Sequence, residues 1–137
     1  MKKNIVLLLV LILIVVTHTF AQDSAKKQTS NREIYGIASF YSDFFDGRPT
    51  ATGETFRQKG MTAASNNIAL RTWVKVTNVK NNKSVIVYIN DRMAPRMARK
   101  GRVVDLTRAA AQQLGFVGAG LTKVKVTVLG SKKPIKA

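Results

Sequence analysis

At 137 residues the chain has the length of one domain. It has no cysteine, which excludes disulfides, thiol nucleophiles, cysteine-ligated metals and a lipidated N-terminal cysteine. With 23 Lys and Arg against seven Asp and Glu its formal charge is +16, which favours an anionic partner.

The first segment joins a basic start, "MKKN", to twelve uninterrupted apolar residues, "IVLLLVLILIVV", and a small-residue exit, "THTFAQ". That order is the pattern of a secretory signal, with cleavage expected after Ala21. The alternative is a membrane anchor, but the apolar run falls short of the ~20 residues that span a bilayer. Cleavage would leave no stable membrane anchor. It would also remove His18, the only histidine, and with it any histidine-ligated metal or Ser-His-Asp triad. An exported protein with this charge meets cell-wall polymers and anionic lipid before it meets nucleic acid.

Residues 22–32 are polar without apolar periodicity and read as a flexible leader. The domain is expected over residues 33–130, followed by a basic tail at 131–137. "YGIASFY" (35–41) reads as a short aromatic strand. "TWVKVTNV" (72–79) alternates, with Val74 and Val76 on one face and Lys75 and Thr77 on the other. "KNNK" supplies the turn, because Asn tolerates the left-handed conformations of tight hairpins. "SVIVYIN" (84–90) returns as a nearly continuous apolar strand. "RMARKGR" (96–102) carries four basic residues in seven and reads either as a solvated loop or as a surface for wall carboxylates or phosphates. Thr107 can cap a helix that "RAAAQQL" propagates and Gly115 ends. "TKVKVTVL" (122–129) has the clearest period of two. Short strands with one brief helix suggest a small closed barrel, in which no apolar strand edge is left free.

Three of the seven acids stand in unusual places. Asp91 ends the apolar run "VIVYI" within "INDRMAP". Asp105 lies inside the apolar frame "RVVDLT". Glu54 follows the turn-forming "TATG".

The segments "GIASFYSDFFDGRPTATGETF", "MTAAS", "WVKVTNVKNNKSVIVYINDR" and "RVVDLTRAAAQQLG" together resemble the rare lipoprotein A (RlpA) family, over about Gly36 to Leu129. The resemblance implies a mainly β fold, a small six-stranded double-psi β-barrel with one or two short helices, related to expansins. It implies endolytic cleavage of peptidoglycan glycan strands to 1,6-anhydromuramoyl ends, a reaction for which a mature chain without His or Cys, and so with no metal and no cofactor expected, is still competent. The family's acidic positions fall on Glu54, Asp91 and Asp105. Two positions depart from its pattern: Ser65 stands where the family often has histidine, and Arg57 where it has aspartate.

Lytic transglycosylation needs a proton on the leaving oxygen, and the sugar's own 6-hydroxyl then attacks. One carboxyl group can therefore act first as acid and then as base. Asp91 is the expected acid/base, with Glu54 the alternative. Asp105 is either a second groove carboxylate or a structural acid near the helix start. Tyr41, Arg48, Arg92 and Ser65 are candidate substrate contacts, Ser65 either holding a sugar hydroxyl or filling the space of the imidazole. Phe44 and Phe45 are candidates for stacking on sugar rings. The competing reading is a non-catalytic, expansin-like wall-binding module that keeps the groove without turnover.

Overall fold

The computed structural model describes residues 31–135. The expected signal segment and residues 22–30 of the leader lie outside the described residues, as do the last two residues of the tail. Six strands, β1 (Glu33–Phe40), β2 (Thr62–Ala64), β3 (Thr72–Asn78), β4 (Ser84–Asp91), β5 (Arg102–Leu106) and β6 (Thr122–Gly130), close into a barrel in the order β1-β5-β2-β4-β3-β6. Two short helices, α1 (Pro95–Arg99) and α2 (Arg108–Leu114), and a 3-10 turn at Asp43–Phe45 complete the described elements. β1–β5 and β2–β4 pair in parallel, and the other neighbours are antiparallel. This is the closed six-stranded barrel that the resemblance implied.

The alternation of β3 and β6 carries the interior. Val74, Val76, Val124 and Val126 are buried, and they meet Val85, Val87 and Ile89 of β4 and Val104 and Leu106 of β5. Each such side chain contributes on the order of 1.5–3 kcal/mol by leaving water. β4 does not behave as the continuous buried strand its sequence suggests. Ile86 is exposed and Tyr88 faces outward, where it packs on Trp73 of β3 with ring centroids 4.9 Å apart. The hairpin turn between β3 and β4 places Asn82 at φ 60°, as the Asn-rich sequence required.

Helix α2 starts and stops as its sequence dictates. The Thr107 hydroxyl accepts the Ala110 N–H, and Gly115 takes the left-handed conformation at φ 75°. Buried Asn78 then ties the helix end to β3, donating to the Leu114 carbonyl at 2.9 Å. The segment after Asp91 differs from the expected loop. Pro95 opens α1, where its missing N–H costs nothing, and the helix runs through Arg99. Gly36 on β1 lets β5 approach closely: a Cβ there would overlap Val103 and stand 3.0 Å from the Gly101 carbonyl oxygen.

Candidate active site

The site forms where four strand ends converge. Ala64, the last residue of β2, pairs with Asp91 on β4 and with Asp105 on β5. The two acids therefore flank one small side chain. On the far side of Asp105, β1 supplies Ser39, its register partner. Tyr41 follows β1 and is held there by a bond from its N–H to the Leu106 carbonyl, 2.9 Å. A bulge between Ala63 and Ala64 shifts the register at this end of the barrel.

Asp91 is half-buried and held from three sides. Its Oδ2 accepts the Tyr41 hydroxyl at 2.6 Å, and its Oδ1 accepts the Ala51 and Arg92 N–H groups, each at 2.9 Å. The Ala51 donor comes from the loop after Pro49, whose reversal is closed by Gly53 at φ 85° and a Thr50 N–H bond to the Glu54 carbonyl. Burial, and then the bond to Asp91, push the Tyr41 hydroxyl far above the usual tyrosine pKa, so it remains a donor. Its ring is clamped by Phe56, with centroids 4.3 Å apart. Tyr41, Phe56, Ala64 and Met93 form a small apolar cluster beneath the site.

Asp105 is almost fully buried and accepts the Ser39 hydroxyl at 2.8 Å. Burial raises its pKa above the usual aspartate value. The Ser39 bond and the charge of Arg102 oppose that rise, and the charge of Asp91 adds to it. Both acids line an open groove of about 610 Å³, with Tyr41, Phe45, Arg48, Arg92, Arg96 and Met97 among its walls. Among the described residues, no three His, Cys, Asp or Glu side chains converge as a metal site.

Of the residues named from sequence, Asp91, Asp105, Tyr41, Arg48 and Arg92 thus meet in one groove. Their geometry corrects several expected contacts. Tyr41 is 7% exposed and its hydroxyl is bonded to Asp91, which leaves it little surface for the expected ligand contact. Arg92 turns its guanidinium to the carbonyls of Ser65 and Ile68, bracing the turn after β2. Ser65 is fully buried: its hydroxyl donates to the Val103 carbonyl at 2.8 Å and accepts the Asn67 N–H, so no sugar reaches it. Arg48 stays exposed, with its guanidinium stacked on Phe44, 3.7 Å from the ring centroid. Phe45 borders the groove. Glu54 does not. Its carboxylate accepts the Thr52 hydroxyl at 2.9 Å, and it borders a separate cavity with Trp73 and Tyr88. Arg57 is exposed and is not among the groove residues. The positioning roles of Ala51, Ala64 and Ser39 had no sequence signal. A backbone N–H and a small spacer are visible only once the strands are ordered.

A family profile described as lytic transglycolase matches residues 33–126. The chain belongs to this family. An RlpA protein of Nostoc, described as a probable endolytic peptidoglycan transglycosylase, is 52% identical over 97 residues, 69% of this chain and 25% of the relative. The endolytic peptidoglycan transglycosylase RlpA of Pasteurella multocida is 44% identical over 103 residues, 75% of this chain and 34% of the relative. The chain thus spans a quarter to a third of the length of these curated relatives. In structure it is similar to a Streptomyces papain inhibitor, with TM-score 0.57 and 19% identity, covering 72% of this chain and 94% of the inhibitor. It is also similar to the Clavibacter michiganensis expansin, with TM-score 0.57 and 22% identity, covering 77% of this chain and 53% of the expansin. At these identities the two structures bear on the fold alone.

Proposed function

We propose that the protein is an exported lytic transglycosylase that cleaves peptidoglycan glycan strands and leaves 1,6-anhydromuramoyl ends. The observation that carries this reading is the pair of acids flanking Ala64 in an open groove, on a barrel of the lytic transglycolase family. Relatives described as endolytic peptidoglycan transglycosylases support it. The N-terminal signal pattern supports delivery to the cell envelope, and the lack of cysteine argues against a lipid anchor there.

Asp91 exchanges the proton with the strand. As the glycosidic bond breaks, its carboxyl proton goes to the leaving oxygen. The muramoyl 6-hydroxyl closes on the anomeric carbon and returns its own proton to Asp91, so no water is consumed. Tyr41, Ala51 and the Arg92 N–H fix the carboxyl through this cycle. Asp105, drawn by burial toward its protonated form, limits the negative charge beside Asp91 when Asp91 is ionised.

The test is digestion of purified sacculi with mass spectrometry for anhydromuramoyl ends. Asp91→Asn keeps the shape of the side chain and should lower product release by about 10²–10⁴ while the protein stays folded. Near-normal release by folded Asp91→Asn, with loss in Glu54→Gln, would move the role to Glu54. A wild-type protein that binds sacculi and releases no such ends would favour the expansin-like wall-binding reading. The buried Ser65 and the exposed Arg57, at the two departures from the family pattern, are what favour that alternative.

A further inference from the structure

The groove does not end at the two acids. Its walls include Arg96 and Met97, and the same two residues border an adjoining cavity of about 360 Å³ whose other walls are Lys100 and Arg102. Three cations therefore border one concavity that shares Arg96 and Met97 with the groove. Among the described residues the ion pairs are Arg108–Asp43 and Lys125–Glu33, so no carboxylate neutralises Arg96, Lys100 or Arg102 by direct contact. None of these three side chains donates a hydrogen bond to the protein either, among the described residues. The nearest acid in effect is buried Asp105, which feels the charge of Arg102. The fold holds the cations together. Arg96 lies on α1, Lys100 caps it, Gly101 turns the chain at φ 81°, and Arg102 opens β5.

We propose that Arg96, Lys100 and Arg102 form an anion subsite, adjoining the groove, that takes a carboxylate carried on the muramoyl arm of the bound glycan strand. The proposal rests on the glycan-strand reading above and names a further contact of that substrate. Like-charged side chains gathered in a concavity repel one another, and an anion entering it relieves that repulsion. Guanidinium groups present planar forks that match a carboxylate, and the ammonium of Lys100 adds a mobile point charge. The strand offers that partner at a fixed repeat, because every second sugar bears a lactyl arm. On stripped strands the arm ends in its own carboxylate; on intact strands the carboxylates belong to the attached peptide. An uncharged polysaccharide has nothing to place there.

The experiment measures binding of the whole protein to soluble glycan strands at physiological salt, where distant charges are screened beyond roughly 8 Å. Three strand preparations are compared: peptide-bearing, amidase-stripped, and the same strands with carboxylates capped as methyl amides. The variant Arg96→Gln/Lys100→Gln leaves Arg102, whose charge acts on Asp105, in place. A control, Lys75→Gln/Lys80→Gln, removes the same charge from exposed positions at other parts of the surface. The variant should bind carboxylate-bearing strands about three- to tenfold more weakly than wild type, the loss expected of one or two partly exposed ion pairs. On capped strands wild type and variant should bind alike. Loss on stripped strands would assign the lactyl carboxylate, and loss confined to intact strands the peptide's. The proposal is overturned if the variant loses nothing, if it loses as much on capped strands, or if the control loses as much. Carboxylate-dependent binding by a wild type that releases no anhydromuramoyl ends would overturn the enzymatic reading and leave the subsite standing.

Discussion

Removing the Tyr41 hydroxyl isolates the contribution of the clamp on Asp91. In Tyr41→Phe the ring keeps its packing on Phe56 and Phe45, so the change is confined to the 2.6 Å bond to Asp91 Oδ2. A hydrogen bond is worth about 0.5–1.5 kcal/mol net, up to about 3 when its partner is ionised, and less where water can take the donor's place. Asp91 is half-buried and faces the groove, so an intermediate value applies, about 1–2 kcal/mol. For a domain of this size each kcal/mol moves the melting temperature by roughly 4–8 °C. The variant should therefore melt about 4–16 °C below wild type. Cleavage should fall further than folding, because Oδ2 loses the donor that sets its direction. A drop of about tenfold in anhydromuramoyl product corresponds to only ~1.4 kcal/mol of lost alignment. The assay pairs thermal melting with product release at a temperature where both proteins are folded. An unchanged melting point would show that the bond adds nothing to stability. A lowered melting point with undiminished product would refute the positioning role.

Three further substitutions test other parts of the argument. Folding raises the Asp105 pKa, so the native state holds that proton more tightly than the unfolded chain; wild-type stability should fall as pH rises from the usual aspartate value through the raised one. Asp105→Asn, which still accepts the Ser39 hydroxyl, should lack that fall, and melting curves across acid to neutral pH in which both proteins change in parallel would contradict the assignment. Ser65→His would place an imidazole at the family's histidine position, but that position is fully buried here; overpacking should cost roughly 1–3 kcal/mol with no gain in product, and a stable variant with raised cleavage would overturn this. Gly36→Ala should destabilise by a similar amount, about 1–3 kcal/mol, because its Cβ meets Val103 and the Gly101 carbonyl; an unchanged melting temperature would mean that β5 yields without cost.

The parts of the fold that could be read from sequence are those specified locally. Helix α2 carries its own start in Thr107 and its own stop in Gly115. Strands β3 and β6 alternate with a period of two because one face meets the barrel interior and the other meets solvent. Strand β2 escapes such reading. It is three residues long, has no period to detect, and exists because β4 and β5 hydrogen-bond to either side of it. Helix α1 escapes for the opposite reason. Its basic residues look like a solvated loop, and only Pro95 at its first position hints at a helix. In β4 the unbroken apolar run concealed an outward face, because Trp73 gives Tyr88 an apolar neighbour outside the core.

The site divides along the same line. Asp91 and Asp105 drew notice because carboxylates are scarce and both sit in apolar frames, yet nothing in their spacing says that they meet. Their meeting depends on the order β5-β2-β4, which sets each beside Ala64. Glu54 drew the same notice from a glycine-containing turn, and that turn aims the Ala51 N–H, not the Glu54 carboxylate, at Asp91. Arg92 is adjacent to Asp91 in sequence, but it serves the acid with its backbone N–H while its side chain braces the Ser65–Ile68 turn. Sequence identified which residues were costly to keep. Which of them act on one another is a property of barrel closure, and it follows that a change at Ala64, which carries no chemistry but pairs with both acids, can disturb their placement.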